Sequence, residues 1–442
     1  MHIPDGYLAP AVSLALALPT VPVWAIATQK VKKVLNNRTV PLLAIFSALS
    51  FTVMMFNIPV PGGTTAHAVG GTLIAVVLGP WAAAIAVSTA LILQALFFGD
   101  GGVLAIFANC FNMAIVLPFV GYGTYRLLAA GSPVLDAHFL GDHAAFVLAE
   151  EAVLVAADGS ERRVALDAGI LASASDGRRL VIGTDDGRVI AVGADGSVDA
   201  IATDPKGRWI DHVALGGDAI AWSAGKQAFV RTAKGETRSR EFAWTVGGLA
   251  FSPKGLRLAV AHYQGVSLWF PNADAAPERL DWKGSHLAVT FSPDGRFLVT
   301  AMQEPTLHGW RLADAKDMRM SGYVAKVRSM AWTVGGKWLA TSGSDQLILW
   351  PFQAKDGPMG KQPRLLAPSK ARVGVVASHP KQEIVAVGYD DGMVLLVRIE
   401  DGAEILGKKP GDAPVSALAW NADGAKLAWG TEGGEAGIVD LA

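Results

Sequence analysis

One cysteine, Cys110, stands in 442 residues. It excludes a disulfide framework and any metal site built from several thiolates. Charge is also scarce: 17 % of residues are Asp, Glu, Lys or Arg, and 51 % are hydrophobic. The 38 basic and 39 acidic residues nearly cancel, leaving a net charge of −1. That balance removes the electrostatic argument for a nucleic-acid partner. No low-complexity run occurs, so disordered and fibrous classes are excluded as well. No phosphate-binding loop of the G-x-x-x-x-G-K-[ST] form is present, so the chain carries no ATPase signature of its own.

What is present divides unevenly. Residues 1–131 hold only Lys30, Lys32, Lys33, Arg38 and Arg126 against Asp5 and Asp100. All the other charges, and 11 of the 13 Trp, lie in 132–442. The first part has a membrane composition and the second a soluble one. Apolar runs predict spans at Leu8–Thr28, Val40–Val60, Trp81–Phe98 and Val103–Leu128, with a shorter element at Ala66–Leu78 that Gly79-Pro80 breaks. Non-helical backbone at membrane depth must be covered by protein or line a cavity, so the broken element predicts a binding loop folded into the bundle. Counting it as a span gives five crossings. The basic loop Lys30–Arg38 then lies in the cytoplasm, the N-terminus outside and Arg126 on the cytoplasmic side. Residues 1–28 do not read as a signal peptide, because His2 and Asp5 stand where basic residues belong.

The chemistry concentrates at the N-terminus, Met1-His2-Ile3-Pro4-Asp5-Gly6-Tyr7. A free amine followed by His offers three nitrogens in fused rings: the amine, the His2 amide nitrogen and the His2 imidazole. That planar set suits Ni(II) or Cu(II). The fourth nitrogen falls to His67, the one other His in the first 131 residues, in Gly62-Gly63-Thr64-Thr65-Ala66-His67-Ala68. Ionisable groups inside a membrane segment are functional candidates by default.

These two motifs, with Asn109-Cys110-Phe111-Asn112-Met113-Ala114, resemble the CbiM/NikM family, the substrate-binding membrane subunits of cobalt/nickel energy-coupling-factor transporters. The resemblance covers about residues 1–130. It implies a square-planar metal held by Met1 (amine), His2 (amide and imidazole) and His67, with Ni(II) or Co(II) as bound substrate. Asn57, Asn109 and Asn112 are polar positions that orient such a site or simply link helices. The implied partners are a transmembrane coupling subunit and ATPase subunits. The family's bundle has two further spans with no counterpart after Arg126-Leu127-Leu128, so the predicted bundle is truncated and its transport is expected to be impaired.

The second part repeats. Leu249–Ala261, Val289–Ala301 and Met330–Ser342 each read as strand, Pro/Gly turn, strand, and a third strand follows that ends in Trp269, Trp310 or Trp350. Phe251 to Phe291 is 40 residues and Phe291 to Trp332 is 41. That spacing, with Asp-Gly turns at 186–187, 294–295 and 391–392, resembles a WD40-repeat β-propeller from about residue 136 to the end, although no Trp-Asp dipeptide occurs. Weaker units begin near His138, Ile170, His212, Gly374 and Ser416. The count is eight blades, with seven as the alternative, and the first blade is expected to be incomplete. The scattered His138, His143, His212, His262, His286, His308 and His379, with Asp345 and Asp390, read as turn and core residues, so no catalytic site is expected.

The sequence thus predicts an all-α polytopic membrane bundle (1–130), a short junction (131–135) and an all-β propeller (136–442). The expected function is the substrate-binding component for Ni(II)/Co(II) uptake in the inner membrane, fused to a cytoplasmic propeller that docks an unidentified protein. The alternative is a membrane-tethered interaction scaffold whose metal site is a relic or an artificial fusion.

Overall fold

The computed structural model describes residues 2–34, 39–56, 58–60, 64–128 and 131–441. The chain divides into two units, 1–130 and 131–442.

In the first unit, α1 (Pro10–Val34) runs through Pro19 and Pro22 without ending. Helix α2 (Thr39–Met54) is followed by a hairpin, β1 (Ile58–Val60) and β2 (Thr64–Ala66). Then come α3 (Gly71–Leu78), α4 (Pro80–Leu93), α5 (Ile106–Asn109) and α6 (Leu117–Leu128). A π-helical turn, Gln94–Phe98, extends α4, and another, Cys110–Val116, joins α5 to α6. Such turns recur at functional sites.

Among the described residues, three helical stretches are long and apolar enough to cross a membrane: Pro10–Lys32, Pro80–Phe98 and Ile106–Tyr125. The expected span Val40–Val60 is shorter, an apolar helix over Val40–Met54. Pro59 disfavours helix at Ile58, and the chain turns into the hairpin instead. The short element counted as the fifth crossing is only partly helical. Helix α3 has eight residues, about 12 Å of rise against a hydrocarbon core of about 30 Å. Residues 67–70 ahead of it are irregular. The Ser50 hydroxyl donates to Val69 O at 2.7 Å, covering one of their backbone groups.

Direction still alternates along the bundle. The Ser13 hydroxyl at the start of α1 donates to Leu104 O just ahead of α5. Midway, the Trp24 indole donates to the Ser88 hydroxyl at 2.8 Å. At the far end, the Lys30 ammonium lies 4.7 Å from the centre of the Trp81 ring. Phe51 near the end of α2 meets Phe98 beyond α4, with centroids 5.2 Å apart. One end of the bundle therefore gathers the start of α1, the end of α2, His67, the end of α4 and the start of α5. Helix α3 packs on α6 through small residues: a Cβ on Gly121 would stand 2.2 Å from the Thr72 hydroxyl, so only glycine admits this approach.

The second unit is a β-propeller. Among the described residues its strands form seven antiparallel sheets, spanning 136–165, 170–203, 212–241, 246–320, 330–366, 373–408 and 415–440. The count of eight is corrected to seven. The fourth and fifth sequence repeats share one continuous strand, Glu278–Phe291, which pairs with Leu258–Trp269 through its first half and with Phe297–Met302 through its second. They merge into a six-stranded sheet. The first blade, expected to be incomplete, has four strands, and the last has three.

Apolar clusters sit between neighbouring sheets. Val134, Phe139 and Phe146 of the first sheet region share one with Ala417 and Ala428 of the last, which closes the ring. The Val134 amide donates to Thr431 O at 3.1 Å across the same closure. At the Asp-Gly turns, Gly187, Gly295 and Gly392 have φ of 90°, 73° and 81°. That left-handed conformation favours glycine.

Candidate metal centre

The N-terminal tail is fixed by a loop a hundred residues away. The Ile3 amide donates to Asn109 Oδ1 at 2.8 Å, and Asn109 Nδ2 donates back to Ile3 O at 3.1 Å. The Gly102 amide also donates to Ile3 O, at 2.9 Å. The Asp5 carboxylate accepts the amides of Val103 (3.2 Å) and Leu104 (2.8 Å). The loop has no room for side chains here. A Cβ on Gly101, whose φ is 94°, would stand 2.9 Å from His2 Cβ, and one on Gly102 would stand 2.6 Å from the Asp5 amide nitrogen.

This clamp buries His2 to 5 % exposure. Its ring lies 5.0 Å from that of His67, centroid to centroid, at 62°. His2 Nδ1 is 3.0 Å from Asp100 Oδ1, without the alignment of a hydrogen bond. Both His2 ring nitrogens and His67 Nε2 are buried without hydrogen-bond partners among the described residues. His67 Nδ1 lies 3.3 Å from Ala68 O. Donation there assigns the proton to Nδ1 and leaves the Nε2 lone pair free.

This donor set fits a late first-row metal. In a tridentate amine–amide–imidazole chelate the open position is trans to the amide and cis to the imidazole. With metal–nitrogen bonds of about 2.0–2.1 Å, two cis imidazole centroids stand about 4.5 Å apart. The observed 5.0 Å is close to that value. No group of three or more His, Cys, Asp or Glu side chains suited to a metal occurs among the described residues. A planar site here therefore needs main-chain nitrogens.

Of the residues that the sequence singles out, the structure brings His2, His67 and Asn109 together. Asn112 is exposed. Met1 and Asn57 lie outside the described residues, as does Arg38. Asp5, Asp100, Gly101 and Gly102 were not anticipated as site residues. The signal for them in the sequence is Asp100, one of two acidic residues in the first 131, standing beside Gly101-Gly102 in an apolar stretch.

Comparison with known proteins bears on this unit directly. A family described as the cobalt uptake substrate-specific transmembrane region, CbiM, matches residues 2–173. The N-terminal unit resembles the CbiM/NikM family. A probable fused nickel transport protein of Lactiplantibacillus plantarum is 57 % identical over 129 residues, 29 % of this chain and 39 % of that one. A fused nickel transport protein of Rhodobacter capsulatus is 52 % identical over 134 residues, 30 % of this chain and 39 % of that one. A cobalt transport protein CbiM of Ruminiclostridium cellulolyticum is 33 % identical over 155 residues, 34 % of this chain and 62 % of that one. The chain thus spans about two fifths to three fifths of the length of these curated relatives. The CbiM match extends beyond the bundle into residues that form strands of the first two propeller sheets.

In the second unit, a WD domain, G-beta repeat, matches residues 318–350, and an anaphase-promoting complex subunit 4 WD40 domain matches 373–442. A computationally designed protein, Ika8, aligns with a TM-score of 0.59 at 16 % identity, over 70 % of this chain and 96 % of that one. That likeness concerns fold alone. Several propeller histidines have hydrogen-bond partners: His138 Nε2 with the Ser173 hydroxyl, His262 Nε2 with that of Ser267 and His286 Nδ1 with that of Thr300, each at 2.8 Å. His308 is fully buried, stacked on Trp282 at 3.9 Å between ring centroids, and neither of its ring nitrogens makes a hydrogen bond among the described residues. His379 Nε2 lies 3.1 Å from Gly424 O. Asp345 Oδ1 accepts from the Ser344 hydroxyl at 3.1 Å, and Asp390 pairs with Arg372 at 2.8 Å.

Proposed function

We propose that the membrane unit binds Ni(II) or Co(II) as cargo and serves as the substrate-binding component of an energy-coupling-factor-type uptake transporter. The metal would sit in a plane of four nitrogens: the Met1 amine, the His2 amide, the His2 imidazole and the His67 imidazole. One observation carries this reading. The buried His2 imidazole, on a tail that Asn109, Gly102 and the amides of Val103 and Leu104 hold in place, meets the half-buried His67 imidazole, and ring nitrogens of both are buried without hydrogen bonds among the described residues. The names of the curated relatives, nickel and cobalt transport proteins, support the cargo.

Lys30 and Lys32 near the end of α1, and Arg126 near the end of α6, lie at the bundle end opposite the site. The preference of basic residues for the cytoplasmic side puts that end inside, and with it the propeller. The metal site then faces outward. Energy comes from partner ATPase and coupling subunits, and the propeller docks a further protein. The decisive measurement is calorimetric titration of the detergent-solubilised chain with Ni(II), comparing a free N-terminus with an extended one. Tight one-to-one binding only by the free form is expected. Equal binding by both refutes the Met1 assignment.

A second reading, a membrane-tethered interaction scaffold whose metal site does not transport, draws on the propeller, whose seven sheets fill residues 136–440. Uptake measured with a relative's coupling module separates the two. Uptake above background is expected on the first reading, and metal binding without uptake would support the second.

A further inference from the structure

We propose that Asp100 is the carboxylate that receives the metal cation: its Oδ1 contacts the ion together with His2 Nδ1, and its charge offsets the charge that the chelate retains. This role rests on the four-nitrogen site proposed above and adds to it a residue that the nitrogen set leaves out.

Ring geometry fixes which nitrogen is at issue. Of the two His2 ring nitrogens, only Nδ1 closes a small chelate ring with the amide nitrogen of its own residue, since Nε2 lies on the far side of the imidazole. Nδ1 is the atom that Asp100 Oδ1 approaches to 3.0 Å, without hydrogen-bond alignment. A nitrogen and a carboxylate oxygen bound to one ion at about 2.0–2.2 Å, and at a right angle, stand about 2.9 Å apart. The observed separation is that of two donors able to share a cation. The in-plane positions beside Nδ1 fall to the His2 amide and to His67, so the oxygen meets the ion from an open face of the plane. Side chains alone still make no site, since no cluster of three such groups occurs among the described residues.

The backbone of Asp100 is anchored separately from the tail that its side chain meets. The π-helical turn Gln94–Phe98 ends at Gly99, whose φ is 65°. The amides of Gly99 and Asp100 both donate to Gln94 O, the second at 3.1 Å. The end of α4 therefore carries the carboxylate, while Asn109 and the loop amides carry the tail. The Asp100 side chain is 40 % exposed and that of His2 is 1 % exposed, so the carboxylate links the surface to the buried nitrogen.

Charge supplies the physical reason. A divalent ion held by one deprotonated amide and three neutral nitrogens keeps a positive charge, and an unpaired charge in a buried site is costly. Residues 1–131 contain two acidic residues, Asp5 and Asp100. Both Asp5 oxygens accept loop amides. The carboxylate that faces His2 is that of Asp100. Being partly exposed, it also attracts the cation before the nitrogens close on it.

The test compares wild-type, Asp100→Asn and Asp100→Glu forms of the 442-residue chain, each with a free N-terminus, in non-ionic detergent. Ni(II) loading is followed by rapid mixing and Ni(II) release by a chelator chase. The charge acts alike on the arriving ion and on the bound one, so its loss should appear in association, as it does for charges at the rim of an interface. Asp100→Asn should load about tenfold more slowly with release unchanged, so that Kd rises about tenfold, the low end of what a neighbouring opposite charge contributes. Added salt should slow loading of the wild-type chain and narrow the difference. Asp100→Glu keeps the charge and should load within about threefold of wild type. Loading of Asp100→Asn at the wild-type rate would overturn the proposal and leave the four-nitrogen site standing. Faster release with unchanged loading would also overturn it, because Asp100 would then only hold the His2 ring. Equal loss in both variants would assign the effect to shape and refute the charge argument. A wild-type chain that binds no Ni(II) would overturn the four-nitrogen site and this role together.

Discussion

Replacing Asn109 by alanine tests whether the metal centre depends on the clamp that holds its tail. The Asn109 side chain closes a reciprocal pair with Ile3, at 2.8 Å and 3.1 Å, and is 5 % exposed. Removing it strands the Ile3 amide. The Ile3 carbonyl keeps the Gly102 amide at 2.9 Å, and Asp5 keeps its two amides. The loss is therefore that of one stranded donor, about 2 kcal/mol within a usual range of roughly 1–3. If ordering the tail is part of forming the chelate, that cost falls on metal binding, where about 1.4 kcal/mol is tenfold, so Kd for Ni(II) should rise roughly thirtyfold. Calorimetric titration in detergent reads this directly. Asn109→Asp keeps the acceptor for the Ile3 amide and should lose less. Asn112→Ala, at an exposed position, should lose nothing. An Asn109→Ala chain that binds Ni(II) within a factor of about three of wild type, a shift under 1 kcal/mol, would refute the idea that the clamp organises the site.

His67→Ala should weaken Ni(II) binding strongly and His2→Ala more so, because the second removes an imidazole from fused chelate rings. His262→Ala, in the propeller, should leave binding unchanged, and equal loss in all three would indicate general destabilisation. In the propeller, burial raises the Asp204 carboxyl's pKa, but bonds from Arg208, including one at 2.6 Å, outweigh it and hold the group below its ordinary value. A depressed carboxylate stabilises the fold above its unfolded pKa of about 4 and loses that contribution as pH falls through the folded value. Asp204→Asn should therefore cost about 2 kcal/mol in urea unfolding at pH 7, in the range of charged hydrogen bonds. The difference from wild type should shrink as the pH is lowered below about 4. A difference that stays constant with pH would refute the charge argument.

The sequence by itself separated a charge-poor part from a charge-rich one, because placing charge in a membrane segment is costly and composition records that directly. It determined the start of each propeller repeat, since strand alternation and Asp-Gly turns are local. The positions near Ile170, His212, Gly374 and Ser416 coincide with the starts or first residues of strands. It also singled out His2 and His67, because histidine is rare in the first 131 residues. Tertiary structure alone decided how the two rings meet. The clamp joins Ile3 to Asn109 and Asp5 to Leu104, about a hundred positions apart, and contacts at that separation leave no periodicity to read. It also decided that Glu278–Phe291 serves two repeats at once. A strand's sequence records which of its faces is buried, but not whether another strand pairs with its free backbone groups.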